Sequence, residues 1–189
     1  MIRDLITQNR SYRRFHQDAA ISEETLRELV DLARLSASAA NRQPLKYILS
    51  CDPEKNALIF QYLGWAAYLK DWDGPAEGER PAAYIVILGD NEISQSIDCD
   101  HGIAVQSILL GAVERGLGGC ILASVQRVPL RRDLEIPDRY QILLVVALGK
   151  PGETVMLETV GPDGDIKYWR DEDDVHHVPK RPLDEIIVG

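Results

Sequence analysis

The chain has 189 residues and a mass of 21.2 kDa, a length that makes one compact domain and needs no disulfide or metal staple. A composition 45% hydrophobic and 27% charged excludes disorder and low-complexity architectures. A net charge of −9 argues against a nucleic-acid or anionic-membrane partner for the surface as a whole, and no apolar run, Ile142–Leu148 included, is long enough to span a bilayer.

The N-terminal MIRDLITQNR lacks the basic-then-apolar pattern of an export signal. The three cysteines, Cys51, Cys99 and Cys120, show no CxxC spacing. Reduced thiols in a cytoplasmic protein are therefore expected.

A short helix is expected before Asn9. Ser22 followed by Glu23 and Glu24 forms a helix N-cap with acids in the first turn. Leu26, Leu29, Val30 and Ala33 then recur at i, i+3, i+4 and i+7, one apolar helix face. SASAANRQP (36–44) is small, polar and closed by Pro44, the pattern of a loop. Residues 47–51 are a short strand candidate, 54–63 a helix, 64–81 a surface excursion with Trp65 and Trp72, and 82–88 (AAYIVIL) a buried strand. Residues 98–117 make the clearest helix. It is apolar around most of its circumference and so is expected to be central and buried. Gly116-Leu117-Gly118-Gly119 supplies a left-handed C-cap. A strand over 120–123, a short helix over 129–134 and a strand over 141–148 follow. Beyond Pro151 the chain is mostly polar and has no core of its own. Val155, Leu157 and Thr159 alternate as in a strand at a sheet edge, its own or a partner's. Interleaved helices and strands give a mixed layered sandwich in one domain, 1–189.

Positive charge is concentrated at the two ends. Residues 1–15 hold four arginines against Asp4, and residues 176–182 hold Lys180 and Arg181 with no acid. The stretch between them is strongly acidic. Uneven scatter of surface charge explains this as readily as convergence of both ends on one anion. Arginine suits phosphate because its planar fork donates two parallel hydrogen bonds and stays charged.

The glycines at 116–119 are no dinucleotide turn, because they follow a helix and precede a strand, the reverse of the required order. No Walker A sequence and no G-x-S-x-G elbow occur. Cys99, Asp100 and His101, with His176 and His177, are weak metal or nucleophile candidates. A structural His101 is commoner at the start of a buried helix, and adjacent strand histidines face opposite ways. Arg10-Ser11-Tyr12-Arg13 sets guanidinium and hydroxyl donors at one bend. Ser38 to Pro44 offers small residues and amides suited to a flat polar heterocycle. Taken alone it fits an ordinary surface loop equally well.

RSYRRF, SASAANRQP, the long apolar helix into GLGGCILAS, ALGKP and the terminal PKRPLDEI together resemble the FMN-dependent nitroreductase family, in order and over nearly the whole chain. The resemblance implies an α+β sandwich with a central, mostly antiparallel sheet flanked by helices. It also implies an intertwined homodimer that exchanges a C-terminal arm (152–189) and holds two FMN molecules at its interface. By motif, Arg10, Ser11 and Arg13 match positions on the ribityl phosphate and the pyrimidine side of the flavin. Ala37, Ser38, Ala39 and Asn41 match the loop that meets the ring from the other subunit. Leu122, Ala123 and Ser124 match the strand end beside flavin N5, and Lys180 and Arg181 match basic tail residues on the phosphate. Leu45 stands where the family often has Trp, Ala123 where some members have an acid, and 64–81 matches no family motif, so it is expected to shape the pocket.

The implied activity is ping-pong hydride transfer from NAD(P)H to flavin N5 and on to a nitroaromatic, quinone-like or other small acceptor. The flavin carries the chemistry and no protein nucleophile is needed. The alternatives are a relative with a specialised flavin reaction, such as reductive dehalogenation or flavin fragmentation, a non-catalytic FMN-binding or sensing module, and a metal-dependent hydrolase.

Overall fold

The computed structural model describes all residues 1–189. Its main sheet is antiparallel throughout and is built on the long strand β5 (Tyr140–Pro151). On one side β5 pairs with β3 (Ala83–Asp90), which pairs with β2 (Leu45–Ser50); on the other it pairs with β4 (Gly118–Leu122). The two-residue β1 (Phe15–His16) takes the far end of β5, Phe15 opposite Pro151 and His16 opposite Lys150.

Both faces of this sheet are covered, and so β3 is buried at all eight positions. On one face Ile85, Ile87, Leu144, Val146 and Leu148 meet α2 (Glu23–Arg34) and α4 (Asp100–Glu114). On the other, Tyr84, Val86, Val145 and Ala147 meet Ile59 of α3 (Pro53–Phe60) and Leu130 of α5 (Arg127–Asp133). The α2 signals act as expected. Ser22 Oγ accepts from the Thr25 amide at 3.1 Å, and Leu26, Leu29 and Ala33 are buried. Each fully buried leucine contributes roughly 1.5–3 kcal/mol.

Helix α4 ends in a Schellman motif. Gly116, at φ +70°, donates to Val113 O, and Leu117 donates to Ala112 O. Two residues on, Gly118 lacks a Cβ because the Tyr12 ring occupies that space. In one chain α4 is not buried all round. Ala104, Val105, Ile108, Leu109 and Ala112 face inward, while Ile103 is exposed and the short α1 (Ile2–Gln8) shows Ile2 and Ile6 to solvent nearby. No helix is long and apolar enough to cross a membrane.

The C-terminal stretch differs from a uniformly extended arm. β6 (Val155–Thr159) pairs in parallel with β8 (His176–Lys180), and β8 pairs antiparallel with β7 (Trp169–Arg170), a separate three-stranded sheet. It has little apolar core and docks on the same chain through polar and aromatic contacts. Tyr168 meets Tyr68 at 5.0 Å, the Arg170 guanidinium lies over Trp72 at 4.7 Å, and Arg14 pairs with Asp174 at 3.1 Å. These contacts hold residues 152–180 against the body. Met156, Leu157, Ile166 and Trp169 stay exposed in this stretch, as do Leu183, Ile186, Ile187 and Val188 in and after the last turn, α6 (Leu183–Ile186).

His177 ties that sheet together. Its Nδ1 meets Glu158 at 2.8 Å and its Nε2 meets Asp171 at 3.0 Å, with the Trp169 ring stacked on it at 4.9 Å. The hydrogen bonds to Asp171 and Glu158 raise the His177 pKa above its ordinary value. A folded-state pKa above the unfolded value of ~6.5 means that this stabilisation is complete below ~6.5 and is lost as pH rises through the folded value. Thermal melts of the wild type and His177→Gln should therefore differ at mildly acidic pH and converge on the alkaline side. A difference that does not vary with pH contradicts the linkage.

Candidate functional site

The bend after α1 is laid over the start of β4. Asn9 donates to Leu5 O and closes α1, Ser11 bridges Gly119, and the Tyr12 amide donates to Gly119 O at 3.0 Å. One buried carboxylate fixes the next two residues. Glu153 Oε1 accepts from the backbone amides of Arg13 and Arg14, and its Oε2 accepts from Arg170 at 2.7 Å. The bend and the C-terminal sheet are thereby joined through one side chain.

Between them lies a cavity of about 330 Å³ lined by Asn9, Arg10, Ser11, Arg13, Gln106, Leu109, Gly119, Ile121, Tyr168, Val178 and Lys180. Four of the candidate residues, Arg10, Ser11, Arg13 and Lys180, therefore meet, and the basic N- and C-terminal segments converge in a single chain. No carboxylate lines the cavity. None of its three cations forms an ion pair, unlike Arg14 and Arg170 next to them.

Arg10 Nη2 donates to Ile6 O at 2.8 Å, but its buried Nε has no partner. Burial lowers the Arg10 pKa below its ordinary value, as expected for a partly desolvated cation without a counter-ion. Arg13 is buried. Its Nη1 donates to Ser11 O at 3.2 Å and lies 3.1 Å from His176 Nε2, and its guanidinium sits over the Tyr168 ring at 4.6 Å. His176 is fully buried, and its pKa falls to about 4 through burial and then the adjacent Arg13 charge. It is therefore neutral at physiological pH and accepts from Arg13, leaving its own buried Nδ1 without a partner.

The other candidates lie elsewhere. Arg181 pairs with Glu185 at 3.0 Å and does not line the cavity. Leu122 points into the core under α5, whereas Ile121, one residue earlier, faces the cavity because strand side chains alternate. Ala123 O accepts from Arg127 Nη2 at 3.2 Å and Ser124 O accepts from the Gly64 amide at 2.8 Å. Ala37 and Ser38 line a different cavity of about 220 Å³, beside Tyr47 and Asp100.

That loop is strained. Ala40, Asn41 and Gln43 all hold φ between 50° and 54°, a region few non-glycine residues adopt. Asp100, at the start of α4 and 4% exposed, holds it by accepting from Ser38 Oγ at 2.5 Å and from the Ala39 amide at 2.9 Å. Burial and then the Asp100 charge push the Tyr47 hydroxyl up to about 12.

Tyr168, Gln106, Ile121 and Glu153 were not legible as site residues. Each lies far along the chain from RSYRR, and the parity of the HisHis pair implies only that one of His176 and His177 faces inward. No group of three His, Cys, Asp or Glu residues is gathered for a metal. The excursion 64–81 contributes no lining residue and reaches the cavity only through Tyr68 against Tyr168.

The nitroreductase family matches residues 6–150 of the chain. A protein of Archaeoglobus fulgidus, whose name gives NADH dehydrogenase and NAD(P)H nitroreductase, is 29% identical over 146 residues, 73% of this chain and 79% of its own. A nitroreductase family protein of Streptococcus pneumoniae TIGR4 superposes with a TM-score of 0.72 at 17% identity, over 100% of both chains. An FMN-dependent nitroreductase of Clostridium difficile R20291 gives 0.65 at 23% identity, over 81% of this chain and 88% of its own.

Proposed function

Since the chain belongs to the nitroreductase family, we propose that it is an NAD(P)H-dependent oxidoreductase whose cofactor is FMN, held in the cavity between the N-terminal bend and β8. One observation carries this reading: three unpaired cations, Arg10, Arg13 and Lys180, share a cavity free of carboxylates in a chain of net charge −9. The residues fit the group. Arg10, with a buried and unpartnered Nε, and Lys180 would take the phosphate, with Ser11 beside them. When bound, FMN supplies hydride transfer between NAD(P)H and a small acceptor such as a nitroaromatic or a quinone.

Arg13 has the other role. It is clamped by Ser11 O, by neutral His176 and by the Tyr168 ring. A cation fixed in this way stabilises negative charge without reorganising, which suits the pyrimidine side of a reduced flavin. Asn9, Gln106 and Ile121 line the remaining wall.

The active form is a homodimer, in which the strained loop Ala37–Asn41 of a second copy completes each site opposite the strand end Leu122–Ser124, and residues beyond Lys180 with Arg181 cross to the partner. The exposed Ile2, Ile6, Ile103 and Ile121, and Leu183, Ile186, Ile187 and Val188 at the chain end, support this. Sedimentation of the purified protein should give a dimer; a fully active monomer overturns the shared site.

The direct test mixes the FMN-loaded protein anaerobically with NADH and, separately, with NADPH. At least one should bleach the flavin absorbance, and an added nitroaromatic or quinone should restore it. Bleaching by neither removes the reductase reading and leaves a flavin store or sensor.

A further inference from the structure

A separate cavity of about 290 Å³ lies between α3, the start of β3 and residues 77–82. It shares no residue with the flavin cavity. It opens on the other face of the main sheet, since Tyr84 belongs to the layer under α3 and α5 whereas Leu109 of the flavin cavity belongs to the layer under α2 and α4.

Two hydrogen-bond donors at this cavity lack an acceptor. The Tyr84 hydroxyl and the Arg80 Nε are both buried without a partner, and Tyr84 is 1% exposed. Burial raises the Tyr84 pKa while the Arg80 charge nearby opposes the rise, so the hydroxyl stays protonated. Arg80 uses only Nη1 for an ion pair, at 2.9 Å to Glu77, whose side chain is 71% exposed. Its guanidinium rests on the Phe60 ring at 4.4 Å. The neighbouring amide of Asn56 is already committed, accepting from Ser50 Oγ and donating to Ala82 O. A buried donor left unpaired is destabilising, so a buried phenol hydroxyl and a buried guanidinium Nε at one cavity call for an acceptor.

Gln17 also lines it, its amide already bound to Glu77 and to the Gly78 and Arg80 backbone amides; apart from Cys51 the remaining wall is apolar, with Ala57, Phe60 and Pro81 among it. With one cation at the cavity, already paired at its outer edge with the solvent-exposed Glu77, the site disfavours a dianion such as phosphate and leaves a monoanion held by directed hydrogen bonds. We propose that this cavity is a second ligand site that takes a small monocarboxylate with a short, flat apolar body, one carboxylate oxygen accepting from Tyr84 and the other from Arg80.

The test uses the FMN-loaded protein with benzoate and its neutral isostere benzamide, measured by titration calorimetry. Benzoate should bind and benzamide should bind roughly tenfold more weakly or worse, the scale of hydrogen bonds to a charged group. Tyr84→Phe and Arg80→Met should each weaken benzoate by a similar factor. Tyr84→Phe should melt no lower than the wild type, since the lost hydroxyl has no partner, and both variants should keep the flavin spectrum. No benzoate binding at millimolar concentration, equal binding of benzamide, or undiminished binding in both variants overturns the proposal. Benzoate that perturbs the flavin absorbance and is indifferent to both substitutions is bound in the flavin cavity and also overturns it.

Discussion

Replacing Arg13 with alanine should weaken FMN binding by about 1.5–3 kcal/mol, a loss of roughly ten- to 150-fold. The size follows from what Arg13 lacks: it is a buried cation with no carboxylate partner. Its hydrogen bonds run to a backbone carbonyl and a neutral imidazole. No counter-ion has to be displaced when an anionic or electron-rich group arrives, so the whole interaction appears as affinity. Arg10→Ala should lose an amount in the same range, through its unpartnered Nε. Titration of each apoprotein with FMN, followed by flavin fluorescence, measures this. Unchanged affinity in both variants refutes the assignment of this cavity to the flavin.

The second large effect concerns stability. Glu153→Ala should lower the unfolding free energy by about 3–5 kcal/mol, the range for removing one partner of a buried ion pair. The Glu153 side chain is 2% exposed and that of Arg170 is 11% exposed. Alanine leaves Arg170 charged and buried, and it strips the acceptor from two backbone amides. In a chain of this length the melting temperature should fall by roughly 6–20 °C. The urea midpoint should fall with an unchanged slope. Because Glu153 anchors the bend that carries Arg13, the same variant should also bind FMN more weakly. A melting temperature within about 2 °C of the wild type would show that the carboxylate contributes little.

Local chemistry was legible wherever one segment held all the information. Ser22 with its acidic first turn, the apolar face of α2, the Gly116 cap and the buried run of β3 each appear where pattern and propensity put them. Elsewhere pairing overrode propensity. Gly149-Lys150-Pro151 has turn composition, yet it continues β5, because Gly149 pairs with Gly118 and the last two residues pair with β1. The phenyl ring of Phe15 occupies the space beside Gly149. α4 is apolar around most of its circumference but covered on one side, since its other face, with Ile103, looks outward.

The C-terminal stretch is the sharpest case. Its alternation indicated strand, but periodicity names no partner. The partner proved to be a parallel neighbour within the same stretch, and the sheet so formed is held to the body by Glu153, Tyr168 and His176 in place of an apolar core. No feature of 176–180 taken alone predicts that its first residue lies under Arg13.

The amino-acid sequence by itself determined the fold class of this protein, the approximate positions of α1 to α5 and β2 to β6, and the excess of positive charge near its two ends, because these depend on residue type and short-range spacing. The tertiary structure alone decided that Arg10, Ser11, Arg13 and Lys180 share one cavity while Leu122 and Arg181 do not line it. Side-chain alternation, and an ion pair that closes a gap of 17 residues between Glu153 and Arg170, act through space and leave no mark at any single position.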